Sequence, residues 1–180
     1  MGSPVDLVFE THSLTEDYER GLATGWLPGR LSERGRELAA ELGERRRDDG
    51  LDAVLVSDLR RAVETAAIAF AGSDIPVLHD WRLRETDFGE LNGRPVDEIR
   101  AVGDVDQRFP GGESRAEAIA RVDGALDDIA ARWADRRVLV IAHMSTYCAL
   151  EHRVRGLALD DIGRSFTWQE GWTYEVTPRG

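Results

Sequence analysis

With 180 residues, 42% of them hydrophobic and 32% charged, the chain fits one globular domain over residues 1–180 with one buried core. A net charge of −11 opposes nucleic-acid phosphates and anionic membranes, so neither is an expected partner. The single cysteine, Cys148, excludes a disulfide framework and a thiolate zinc site, and the lack of a basic, apolar leader sets a cytoplasmic expectation.

In chain order, the apolar run Val5–Phe9 predicts a buried first strand. Ser32 opens a helix to about Arg47, with Leu38, Leu42 and nearby alanines forming its apolar stripe. Ala53–Val56 predicts a second strand, Leu59–Phe70 a helix and Ile75–Leu78 a third strand. The segment from Arg84 to Pro95, rich in Gly, Asp and Glu, suits a functional loop. Pro110-Gly111-Gly112-Glu113-Ser114 is a turn into the longest helix, where Ser114 and Glu117 are spaced as a capping box. On that helix Val122, Leu126, Ile129 and Trp133 recur at core-facing spacing. Val138–Ala142 is a further buried strand, followed by a helix from about Ser145 to Val154 and a last strand near Trp172–Val176. This alternation predicts an α/β chain built as a three-layer α/β/α sandwich around a mostly parallel sheet. Ligands gather beyond the carboxyl ends of strands in such sheets, which singles out the residues just after Phe9, Val56 and Ala142.

None of the 23 basic residues is lysine, so an anionic substrate must be held by arginines working against the global field. After the second strand runs Ser57-Asp58-Leu59-Arg60-Arg61-Ala62-Val63-Glu64-Thr65-Ala66. Arg61 falls in the first turn of a helix, where free amides and the dipole already favour an anion. The string is similar to the pattern S-x-L-x-R-A-x-x-T-A of the histidine phosphatase (phosphoglycerate mutase-like) superfamily. Leu83-Arg84-Glu85, with Gly89 and Gly93, resembles its L-x-E-x-x-x-G-x-x-x-G motif, and Val138-Leu139-Val140-Ile141-Ala142-His143 resembles the strand that carries its second histidine. Gly25-Trp26 and Leu31-Ser32-Glu33-Arg34-Gly35 resemble the segment closing the first β-α connection. The resemblance spans nearly the whole chain. It implies a phosphoglycerate mutase-like fold, Arg61 as the clamp on a substrate phosphate, Glu85 as the acid that protonates the leaving oxygen, and His143 as a stabiliser of the phosphoryl group in transfer. Met144 stands where the family usually has glycine, which narrows the pocket.

The first motif departs from the family's L-V-R-H-G-E-T, in which the histidine is the nucleophile. Here the residues are Leu7-Val8-Phe9-Glu10-Thr11-His12-Ser13. Aligned on Leu-Val, Glu10 takes the nucleophile's place. Aligned on the histidine, His12 does, and the family spacing to Gly25 and Gly35 is kept without an insertion. Either register loses the arginine. Residues i and i+2 of an extended chain share a side, so Glu10 and His12 are both expected to face the site. His12 is then a nucleophile oriented by Glu10, or Glu10 is itself base or nucleophile, or both work with Glu85 and His143 in acid-base chemistry on another substrate. A carboxylate beside a phosphate needs a cationic partner, and Arg20, Arg30 and Arg61 are the candidates.

Cys148 is expected as a small buried residue, and His79 and His152 as ordinary histidines. Trp168, Trp172 and Tyr174 are expected in the core or an interface. No histidine spacing suggests a metal site, and no cofactor is implied. The expected partner is a small phosphorylated molecule, and association as a homodimer is left open. The leading functional expectation is a cofactor-independent phosphomonoester hydrolase. The alternatives are a lyase, isomerase or non-phosphate hydrolase reusing the pocket, and a catalytically degenerate binding protein.

Overall fold

The computed structural model describes residues 2–162 and 166–179. In chain order it contains β1 (Val5–Thr11), α1 (Glu16–Glu19), β2 (Leu22–Ala23), α2 (Glu33–Arg46), β3 (Ala53–Val56), α3 (Arg60–Ala69), β4 (Val77–His79), β5 (Arg94–Pro95), α4 (Val96–Ala101), α5 (Arg115–Arg132), β6 (Arg137–Ala142), α6 (Met144–Arg155), α7 (Leu159–Ile162) and β7 (Trp172–Val176). Five strands form one sheet in the order β4-β3-β6-β1-β7, parallel except for the antiparallel edge β7. β2 and β5 form a separate two-stranded ribbon.

The central strands are apolar on both faces because helices cover both. Along β6, Val138, Val140 and Ala142 pack on one side with Val122, Leu126 and Ile129 of α5 and Leu150 of α6. Leu139 and Ile141 point the other way, against Leu42 of α2 and Ala62 and Ala66 of α3. The predicted layering therefore holds, with α2 and α3 on one face and α5 and α6 on the other. Ser32 caps α2 through a bond from Gly35 N, and Ser114 and Glu117 close the expected capping box on α5.

Several boundaries differ from expectation for local reasons. β1 runs past Phe9 to Thr11 because Glu10 and Thr11 still pair with Ile141 and Ala142, although neither is apolar. β4 begins at Val77 rather than Ile75, since Pro76 has no N–H and contributes only its carbonyl, to Val54 N. Within the Arg84–Pro95 segment, Gly89–Leu91 makes a single 3-10 turn and Arg94–Pro95 pairs with Leu22–Ala23. Trp172 and Tyr174 are core residues, whereas Trp168 is 57% exposed. No helix among the described residues is long and apolar enough to cross a membrane.

Candidate active site

The register of two neighbouring strands sets the centre of the site. β1 and β6 run parallel with Thr11 opposite Ala142, so the next residue on each, His12 and His143, emerges side by side. His12 N still donates to Ala142 O at 2.9 Å, and the two imidazole rings lie 5.0 Å apart. The chain then turns over the start of α2 and the middle of α3. Ser13 N donates to Thr65 Oγ1 of α3 (3.0 Å), and Ser13 Oγ donates to Gly35 O of α2 (2.6 Å). Gly35 is required here, since a Cβ would meet Leu14 O at 1.9 Å.

The hydrogen bonds assign the tautomers. His12 Nδ1 lies 2.7 Å from Ser13 O, which can only accept, so Nδ1 carries the proton and Nε2 keeps its lone pair. That lone pair accepts from Arg61 Nε at 3.2 Å. His143 Nδ1 stands 3.3 Å from Arg61 Nη2, a group that only donates, so this nitrogen is also an acceptor. The opposite nitrogen, Nε2–H, donates to Ser57 Oγ at 2.8 Å. Both rings are neutral. Burial, and then the Arg61 charge, push the His12 imidazole down to about 3 and the His143 imidazole well below its ordinary value.

Arg61 sits in the first turn of α3 with 2% of its surface exposed, although cations are disfavoured at a helix start. Its Nη2 donates to Gly25 O at 2.9 Å and its Nη1 reaches Leu27 O at 3.4 Å. Among the described residues it forms no ion pair with a carboxylate. Burial lowers its pKa to about 10, with Glu85 and Asp17 opposing the drop, and it stays cationic near neutrality. A buried guanidinium facing two neutral imidazoles and backbone carbonyls is built to receive an anion.

Glu85 completes the group. Its carboxylate lies at the N-terminus of α6, accepting from Met144 N and Ser145 N at 3.2 Å each and from its neighbour Thr86 N at 2.8 Å. Arg61, His143, Glu85 and His12 thus converge from four separate segments of the chain. They bring an unprotonated imidazole nitrogen, a buried guanidinium and a carboxyl group together.

Glu10 does not join them, which corrects the expectation that it faces the site beside His12. Its carboxylate, 3% exposed, is drawn to the end of α2, where Arg46 binds it through Nε (3.0 Å) and Nη2 (2.7 Å) and Arg45 lies at 3.5 Å. Gly171, just before β7, leaves room for this approach, since a Cβ there would lie 2.2 Å from Arg46 Nη2. An ion pair with two arginines outweighs the shared side of an i, i+2 pair. Its cationic partners are therefore neither Arg20, Arg30 nor Arg61. Arg20 and Arg30 pair with Glu16 at 3.7 and 2.9 Å, are largely exposed, and border a surface cleft of about 320 Å³ with Leu27 and Arg60. Neither bonds to His12, Arg61 or His143 among the described residues.

Other residues hold the site without having been assigned a role from sequence. Ser57 and Thr65 lie inside the Arg61 string and orient His143 and the His12 loop. Burial pushes the Cys148 thiol up to about 12, which removes it as a nucleophile.

The two depressed histidines predict an acid-labile fold. A histidine whose folded pKa lies below its unfolded value of about 6.5 contributes stability that is full above that pH and is lost as pH falls toward the folded pKa. Stability should therefore decline from about pH 6.5 downward, by up to about 1.4 kcal/mol per pH unit for each group. Urea unfolding at pH 7, 6, 5 and 4 measures this decline, and His143→Gln should flatten it. An equal pH slope in wild type and variant would contradict the assigned burial.

Comparison with known proteins identifies the family and the fold. A model of the histidine phosphatase superfamily (branch 1) matches residues 7–169. The 2,3-bisphosphoglycerate-dependent phosphoglycerate mutase of Methylobacterium radiotolerans is 38% identical over 168 residues, 84% of this chain and 79% of the relative. Among solved structures, Bacillus stearothermophilus YhfR superposes with a TM-score of 0.80 at 29% identity, covering 88% of this chain and 83% of that one. A mycobacterial glucosyl-3-phosphoglycerate phosphatase in complex with VO3 gives a TM-score of 0.78 at 28% identity, covering 88% and 86%.

Proposed function

The chain belongs to the histidine phosphatase superfamily, and on that premise we propose that it hydrolyses a small phosphomonoester through a phosphohistidine on His12. The observation that carries this reading is Arg61, a buried cation without a carboxylate partner among the described residues, with both neutral imidazoles among its acceptors. A phosphate group would take over the donors that Arg61 now gives to His12 and His143, which frees Nε2 for in-line attack on phosphorus. As the N–P bond forms and the ester P–O bond breaks, Glu85 in its protonated form gives its proton to the leaving oxygen. Water then attacks the phosphohistidine, Glu85 takes a proton back, and inorganic phosphate and free His12 are restored. The resting tautomer suits the first step, because Nδ1–H is tied to Ser13 O and the depressed pKa keeps Nε2 unprotonated. Thr11 supplies no charge where the family has arginine, so Arg61 carries the anion.

The mutase reading is favoured by several curated relatives that are phosphoglycerate mutases, and it differs in one outcome: the phosphoryl group returns to an organic acceptor instead of water. Phosphate release from an aryl phosphate without added metal, between about pH 4 and pH 9, tests the hydrolase directly. Turnover that disappears in His143→Ala supports it; no turnover in that range sinks it. Isomerisation of a phosphoglycerate without phosphate release would select the mutase. Orthovanadate at about 100 times its Kd should stabilise the fold by about 2.7 kcal/mol, and no shift would favour a non-phosphate substrate.

A further inference from the structure

Arg121 occupies the middle of α5 beside the core-facing Val122, yet only 10% of its side chain is exposed. Its guanidinium points at backbone. Nη1 donates to Arg82 O (2.7 Å) and Arg84 O (3.1 Å), and Nη2 donates to Glu85 O (3.2 Å). The charge is balanced by Glu113, whose two carboxylate oxygens accept from Nε and Nη2. Glu113 reaches the same loop from the other side of Glu85: its Oε1 accepts from Asp87 N at 3.0 Å, and its own N–H donates to Asp87 O at 3.1 Å. Trp26 Nε1 gives Glu85 O a second bond at 2.6 Å, and the Trp26 ring carries the Arg84 and Arg121 guanidiniums at 4.7 and 5.8 Å from its centroid.

Burying an ion pair costs several kcal/mol per charge, and an apolar residue at position 121 would serve the α5 packing as well. The pair instead fastens the loop before and after Glu85, and the Glu85 carboxylate then meets the α6 amides at 3.2 Å. We infer that Arg121 and Glu113 are positioning residues for Glu85, holding its carboxyl group where the leaving oxygen of the substrate departs. The inference rests on the acid role proposed for Glu85.

Leaving-group dependence separates positioning from mere support of the fold. A dinitrophenolate departs without a proton, whereas an alkoxide needs one. Arg121→Met should lower kcat for an alkyl phosphate by about 100-fold and for dinitrophenyl phosphate by less than about threefold, with KM nearly unchanged. Arg121→Lys should recover part of the alkyl rate. In a Glu85→Gln background, Arg121→Met should add no further leaving-group-dependent loss. Glu113→Gln, which keeps the shape of the pair without its charge, carries the same comparison if Arg121→Met fails to fold. Equal losses on both substrates, with Glu85→Gln itself steeply dependent on the leaving group, would overturn the positioning role alone. A Glu85→Gln variant with no such dependence would instead overturn the acid role on which it rests.

Discussion

His12→Ala is expected to lower kcat for a phosphomonoester by about four orders of magnitude, a barrier increase of about 5.5 kcal/mol. Among the described residues, no other side chain offers a free nucleophilic atom at the place where Arg61 would present phosphorus. His143 uses one nitrogen on Ser57 and turns the other to Arg61, and the raised pKa of Cys148 keeps its thiol protonated. The fold should survive, because His12 lies at the strand end and its lost bonds go to Ser13 O and Arg61. Steady-state phosphate release, measured beside a thermal melt at pH 7, separates the two effects. Loss of less than about tenfold with an intact melt would remove His12 from the chemistry.

Glu10→Gln is expected to do the reverse, with activity within about threefold of wild type and stability lowered by about 2–3 kcal/mol. The carboxylate is nearly fully buried against Arg46, whose side chain is 14% exposed, so removing its charge leaves a mostly buried guanidinium without its shortest ion-pair partner. Arg45 is more open, and Asp49 and Glu170 take up part of the freed charge, which keeps the cost below that of a fully enclosed pair. For a chain of this size the loss corresponds to a drop in Tm of about 5–10 °C. A variant that melts normally but has lost turnover would return Glu10 to the site as nucleophile or base.

Glu10 and His12 also mark the limit of what the sequence makes legible. The layering is legible because β3 and β6 are apolar on both faces and because α5 carries an unbroken helical stripe and a capping box. Arg61, Glu85 and His143 are legible because each lies beyond a strand at the sheet's carboxyl edge inside a multi-residue pattern. The choice between Glu10 and His12 is not, since the period of two puts both on one side. It is decided by Arg45 and Arg46, distant in sequence and ordinary in composition as the end of a charged helix. The roles of Arg121 and Glu113 are hidden for a similar reason. A helix periodicity marks the core face, and a buried guanidinium at its margin reads as a surface residue until the loop it clasps is in place.

The chemical identity of the phosphoenzyme decides between the two nucleophiles most directly. Rapid acid or alkali quench of the protein mixed with a radiolabelled phosphomonoester should trap a protein-bound phosphate that is stable in alkali and labile in acid, as a phosphoramidate is. It should be abolished by His12→Ala and retained in Glu10→Gln. A label stable in acid and cleaved by hydroxylamine, lost in Glu10→Gln and kept in His12→Ala, would be an acyl phosphate and would contradict the assignment of His12.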